Sequence, residues 1–340
     1  MASTHNIETR LLKTSEYELW DQFVDSSPFG TIFHKSIWLQ PVAGFQQLSF
    51  DVVGCFKGGQ LTGGMALAWK KKFGKIPVIQ MPLKTPFFGP VISYSDTKYR
   101  SKIESQVLTA TTALTDFLKS RYQHIHAQFP PAFTDVRPYV WNGFEAGVHY
   151  TYMGDLTAAS QLLEGFDSDI KRRIKKAREL DHQIIVESSE KNIAFAWELE
   201  QASFKRQNFG LVSLGKEEFT AFIRKLAELD AAEVHTITHE GSPVASVVSI
   251  LDKVKNVAYY WMAGAQKESL STGLNQLLIQ DIVERYINTG LEKFDLVGAD
   301  TDTIARYKST LNFPLVPIYS VTHSQGLAKK GMQVKKLIRK

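Results

Sequence analysis

Two stretches of this chain read in the same order, and that repetition limits what the chain can fold into. Residues 50–72, FDVVGCFKGGQLTGGMALAWKKK, alternate into a glycine turn and out again, as a β-hairpin does. Residues 232–264 do the same around Glu240–Gly241. Each hairpin leads through further strand-like residues into a long amphipathic segment and then a short strand. A helix is expected over 101–120, with Ile103, Val107, Leu108, Leu114 and Leu118 near helical spacing, feeding the strand HIHAQF at 124–129. A second is expected over 272–289, with Leu274, Leu277, Leu278, Ile282, Val283 and Ile287, feeding KFDLVG at 293–298. Hairpin, strand, helix, strand thus occurs twice, offset by roughly 170–180 residues. An α/β (α+β) chain of two related modules follows. Its 340 residues exceed the usual single domain, and 44% apolar content can fill two cores.

Between the copies lies a charged helical stretch over 158–229. It opens with LLEGFDSDIKRRIKKARELDHQ, where Asp167, Ser168 and Asp169 are good helix starters. Two more helices are expected, one in KNIAFAWELEQASFKRQNFG, stopped by Gly210, and one in KEEFTAFIRKLAELD. Six of the eight residues from Lys171 to Arg178 are basic, while Ile174 and Ala177 join Ile170 on an apolar stripe. Such a helix docks by one narrow face and leaves a cationic surface. A solvated charged face accounts for it, and so does contact with phosphates of RNA, of a nucleotide-linked substrate or of an anionic lipid. The chain closes on HSQGLAKKGMQVKKLIRK, with six Lys or Arg and no acid.

Many chemistries lack their residues. The single cysteine, Cys55, excludes an internal disulfide and any cysteine-based zinc site. DLVGADTDT offers a phosphatase-like Asp-x-Asp-Thr after an apolar strand, but the 38 residues beyond Asp302 hold no further acid. Asp300 and Asp302 are too few ligands for a hard cation, and capping of the next helix explains them as well. Nine histidines are scattered; His124 and His126 share a strand face without a third ligand nearby. No Gly-x-Ser-x-Gly elbow, P-loop or dinucleotide fingerprint is present. The net charge of +5 permits an anionic partner without requiring one. The first residues carry no apolar signal segment and no stretch reaches the length of a membrane span, so the cytoplasm is the expected location.

Four segments in order carry a family resemblance. They are SPFGTIFHKSIWL at 27–39, VWNGFEAGVHYTYMGDL at 140–156, SDIKRRIKKAREL at 168–180, and STGLNQLLIQDIVERYINTGLEKFDLVGAD followed by RYKSTLNF, at 271–313. The chain resembles the Fem-type aminoacyltransferases, peptidoglycan interpeptide-bridge enzymes, and the double-GNAT acyltransferases grouped with them. The resemblance implies two tandem GNAT-like modules, each a mixed sheet flanked by helices. The first would span 1–157 and the second 158–322, with a basic tail at 323–340 packing back on the first.

It further implies attack of an amine on an activated acyl group with no covalent enzyme intermediate and no bound cofactor. The co-substrate would be aminoacyl-tRNA or acyl-CoA, and the acceptor a peptidoglycan precursor or another amine such as a sugar. A binding protein that kept the fold without catalysis is the remaining option. Lys308 would stabilise the oxyanion, and Asp300 would accept or orient the amine's proton. Tyr259, Tyr260, Tyr307, Trp38 and Lys35 would contact substrate, and strand alternation lets only one of Tyr259 and Tyr260 face the cleft. Lys171, Arg172, Arg173, Lys175, Lys176 and Arg178 would meet phosphates of tRNA, of the precursor or of an anionic membrane face, placing the protein at the inner membrane surface. No metal is implied. One departure matters: an acetyl-CoA-binding turn needs a Gly-x-Gly/Ala pattern, whereas QKESLSTGLNQ has only Gly273 and SYSDTKYRSKIE has no glycine. Aminoacyl-tRNA is therefore favoured as donor.

Overall fold

A computed structural model describes residues 7–206 and 214–330. Along the chain the elements are β1 (Ile7–Leu11), α1 (Tyr17–Ser26), α2 (Ser36–Phe45), β2 (Ser49–Lys57), β3 (Gln60–Lys72), β4 (Ile76–Ile79), β5 (Val91–Ile92), α3 (Arg100–Arg121), β6 (His124–Gln128), α4 (Arg137–Trp141) and β7 (Glu145–Asp155). There follow α5 (Ala159–Glu164), α6 (Ser168–Ala177), β8 (His182–Val186), α7 (Glu190–Arg206), α8 (Lys216–Glu228), β9 (Ala232–His239), β10 (Ser242–Asp252), β11 (Val257–Ala265), α9 (Leu274–Asn288), β12 (Lys293–Asp295), α10 (Asp302–Ser309) and β13 (Leu315–Ser324). With the short β5 and the connecting α5 and α6 set aside, the order β-α-α-β-β-β-α-β-α-β runs through twice.

Contacts divide the chain into two units. One holds the described residues up to His149 together with those from Pro317; the other is Tyr150–Val316. The division falls inside β7 and β13. The first unit's sheet runs β1-β2-β3-β4-β6-β13, antiparallel except for β4 beside β6. Its core gathers large rings, among them Trp20, Phe33, Trp38, Phe87, Phe88 and Phe129, each fully enclosed. The second unit's sheet runs β7-β12-β11-β10-β9-β8, antiparallel except for β11 beside β12. One face of it packs α6 and α9 through Ile170, Ile174, Leu277, Ile282 and Phe294. Trp261, pointing the other way, stacks on Phe219 of α8 at 6.1 Å. Each sheet is completed by the strand that ends the other copy's order: β13 in the first unit, β7 in the second.

Both expected hairpins are present. Their tips, Gly58–Gly59 (φ +56° and +80°) and Glu240–Gly241 (φ +48° and +73°), have the paired positive φ that two-residue hairpin turns require. Helices α3 and α9 match the expected amphipathic segments. Strand β12 stops at Asp295 rather than at Gly298, because Val297 and Gly298 turn left-handed at φ +53° and +80°. The expected helix stop at Gly210 and residues 331–340 of the basic tail lie outside the described residues.

Candidate functional site

The site is built where two parallel strands of the second unit part. Strand β11 pairs with β12 only from Val257↔Lys293 to Tyr259↔Asp295, then runs on to Ala265 without it. A bulge accompanies the parting. Val248 faces Met262 and Ser249 faces Tyr260, so Trp261 is the extra residue that bends β11.

Past Asp295 the backbone folds into a fully satisfied loop. The N–H groups of Leu296 and Ala299 donate to Tyr152 O and Tyr150 O, both at 2.8 Å. Val297 N donates to Asp295 Oδ1 at 2.8 Å, and Gly298 N to Thr151 Oγ1 at 3.3 Å. The carbonyls of Leu296, Val297 and Gly298 accept from Lys308 Nζ at 2.6, 2.7 and 2.8 Å. An ammonium has three N–H donors, and all three are used. Lys308 reaches back from α10, its side chain almost wholly buried.

Under this loop lies Asp295, with no solvent exposure. Its Oδ1 also accepts the Thr151 hydroxyl, while Oδ2 has no hydrogen-bond partner among the described residues. Burial pushes the Asp295 carboxyl up to about 6, against the opposing pull of the Lys308 charge. Burial likewise pushes the Lys308 ammonium down to about 8, with Asp295 opposing. Sequence reasoning chose Asp300 and passed over Asp295. The signal was available: KFDLVG places a single acid inside an apolar strand, where a carboxylate is costly unless something holds it.

The two tyrosines separate as strand alternation demands. Tyr259 stands opposite Asp295 in register, and burial raises its hydroxyl pKa. Tyr260 turns to the other face, edge-on to Phe294 at 6.3 Å between ring centres and close to Tyr307. The buried Tyr307 hydroxyl has no hydrogen-bond partner among the described residues. Asp300 is exposed and accepts from Tyr150 N at 3.0 Å. Asp302 lies in the first turn of α10, paired with Arg306 at 3.0 Å, and Thr301 holds the cap position.

The basic helix α6 buries Ile170, Ile174 and Ala177, the stripe read from sequence. Its cations divide. Arg172 and Arg173 pair with Asp169, and Lys171 Nζ donates to Glu164 O. Lys175, Lys176 and Arg178 are exposed and meet no carboxylate among the described residues. Gly273, at φ +87°, starts α9 directly against this helix, and a Cβ there would come within 2.5 Å of Arg173 O.

Lys35 and Trp38 belong to the other unit. Trp38 is fully enclosed, donating to Thr85 Oγ1 at 3.1 Å and meeting Phe33 edge-on. Lys35 pairs with Asp25 at 2.5 Å. His124 and His126 are hydrogen-bonded to Ser324 and Thr322, and no cluster of metal ligands occurs among the described residues.

Residues 165–309 match the family model of the Acetyltransferase (GNAT) domain. No curated protein matches the sequence at a significant level. Among solved structures, FemX is similar at 13% identity and a TM-score of 0.66, over 92% of this chain and 96% of that one. L-PGS from Bacillus licheniformis is similar at 13% identity and a TM-score of 0.55, over 96% and 97%. A tandem GNAT protein from the clavulanic acid biosynthesis pathway follows at 12% identity and a TM-score of 0.53, over 94% and 99%. The chain has the GNAT fold, with its order of elements run through twice.

Proposed function

We propose that this chain is an N-acyltransferase that moves an aminoacyl group from aminoacyl-tRNA to an amine of a peptidoglycan precursor. The parting of β11 from β12 over the Lys308-bound loop carries this reading. Beyond Tyr259 the edge of β11 is free of β12, which suits an extended acyl donor held by strand-type hydrogen bonds. Lys308 sets a fixed positive charge beneath that fork, where it favours the oxyanion of a tetrahedral intermediate. The amine nitrogen bonds to the acyl carbon, the ester C–O bond breaks, and the departing tRNA oxygen leaves as a hydroxyl by taking up the proton that the amine gives to Asp300. Asp300, exposed after the loop, takes the proton that the amine loses. Asp295 is enclosed and acts through Lys308 and Val297 rather than on substrate.

The choice of donor is supported by the start of α9. It has a single glycine, and the Arg173 backbone crowds it, an arrangement unlike a glycine-rich pyrophosphate turn. Lys175, Lys176 and Arg178, which meet no carboxylate among the described residues, suit the phosphates of tRNA. The Fem-type segments of the sequence favour the same donor and acceptor, on a fold shared with FemX.

A second reading, acyl-CoA-dependent transfer to a sugar or small amine, draws on the acetyltransferase family match at 165–309. Acceptor-dependent transfer from labelled aminoacyl-tRNA and from acetyl-CoA, run side by side, separates the two. Transfer from acetyl-CoA alone would overturn the tRNA reading. Ligand binding without turnover on either donor would point to a binding protein.

A further inference from the structure

The tip between β3 and β4 carries a residue that the fold does not explain. Lys72 pairs with Ile76, and Phe73 and Gly74 turn the chain at φ +50° and +71°, with Lys75 N donating to Lys72 O at 3.2 Å. Paired positive φ suits Asn-Gly or Gly-Gly, and a bulky residue in the first place is strained. The β2–β3 and β9–β10 tips put Gly58 and Glu240 at the equivalent place. Phe73 is also 91% exposed, the largest value among the exposed large hydrophobic residues. It therefore costs the fold twice, in backbone conformation and in wetted aromatic surface, with no packing return among the described residues.

The surroundings indicate a use outside the fold. The turn is written Lys70-Lys71-Lys72-Phe73-Gly74-Lys75, four cations around one ring. None of the four meets a carboxylate among the described residues. From these observations we infer that the β3–β4 tip is a docking element for an anionic lipid bilayer. Phe73 enters the interface between head groups and acyl chains, while the ammonium groups stay level with lipid phosphates. An aromatic wedge and a polybasic patch are the two weak signals that together give reversible attachment. RNA is the competing polyanion. Sequence-tolerant RNA binders track the backbone along a charged groove and stack successive bases on several rings, whereas here one ring stands alone at the outermost point of a turn. This inference is independent of the reaction proposed above, whose residues lie in the other unit.

Sedimentation of the full chain with vesicles tests it. One set is pure phosphatidylcholine and the other contains about 30% phosphatidylglycerol, enough to give a negative surface potential. The intact protein is expected on the anionic vesicles alone. Phe73→Asn, which suits the turn better, should lower the partition coefficient about tenfold, and the pair Lys71→Glu with Lys72→Glu about thirtyfold or more, each with unchanged circular dichroism. Phe73→Trp should bind as the native chain does, with its fluorescence shifted to the blue on vesicles. Equal binding by Phe73→Asn, equal binding to neutral vesicles, or unshifted emission from the bound Phe73→Trp variant would overturn the inference. So would a Phe73→Asn variant that loses tRNA binding and keeps vesicle binding, since the tip would then be an RNA contact.

Discussion

The Lys308 ammonium lies 2.7 Å from the carbonyl oxygen of Val297, a β-branched residue held left-handed at φ +53°. That backbone state costs about 1–2 kcal/mol for such a side chain. Three charge-assisted hydrogen bonds from one lysine hold it in place. Lys308→Ala should therefore lose stability as well as transfer, by about 3–5 kcal/mol in urea titration, because three carbonyls and the Asp295 carboxyl lose their cation together. Adding Val297→Gly should recover about 1 kcal/mol of that stability by relieving the strain, without restoring transfer. Recovery of both would show that Lys308 contributes loop shape alone.

Asp295→Asn tests the carboxyl beneath the loop. The amide can still accept from Thr151 and Val297, but the charge that raises the Lys308 pKa is gone. Lys308 then loses its proton below its present value of about 8. Under the proposed reaction, the alkaline limb of kcat/KM against pH should move to lower pH. An unmoved limb would separate Lys308 ionisation from turnover.

Acid should weaken the first unit through His34, which is buried, and His124, which is half-buried. Burial holds His34 down to about 3 and His124 down to about 4, whereas the unfolded chain protonates both near 6.5. Their contribution is complete above about 6.5 and is lost as pH falls through the window toward those values, since only the unfolded state takes up the protons. The expected loss from His34 is about 1.4 kcal/mol per pH unit within the window. Tm measured from pH 7 to pH 5 should fall, and His34→Gln should flatten the slope.

Gly273→Ala should be destabilising out of proportion to its size. The position is left-handed, and the added methyl would press on Arg173 O, so α9 must shift from α6. A loss of about 2 kcal/mol or more is expected from strain and overpacking together, read by thermal unfolding.

Reversing Lys175, Lys176 and Arg178 to Glu should leave Tm nearly unchanged, as these side chains have no partners to lose among the described residues. Under the tRNA reading, KM for aminoacyl-tRNA should rise and its salt dependence flatten, by a slope of about 0.7 to 0.9 for each phosphate contact removed. Unchanged KM would remove α6 from donor binding.

The hairpins, helices α3 and α9 and the apolar stripe of α6 are written in local order. Residues two or four apart share a face, so their periodicity shows in the sequence before any contact forms. Glycines at Gly59 and Gly241 likewise announce the two expected hairpin tips, because few other residues tolerate positive φ. Where charges end up follows a different rule. Lys308 meets carbonyls ten to twelve residues earlier, and Asp295 meets a hydroxyl on a strand 144 residues away. Arg172 and Arg173 pair with Asp169 while Lys175 and Lys176 meet no carboxylate among the described residues, although all four look alike in the sequence. The placing of β7 and β13 is equally invisible to periodicity, since a strand's alternation fixes its faces and not its neighbours. The sequence by itself determined which elements form and which faces they bury. Tertiary structure alone decided which charges are enclosed, because burial and pairing depend on residues far apart in the chain.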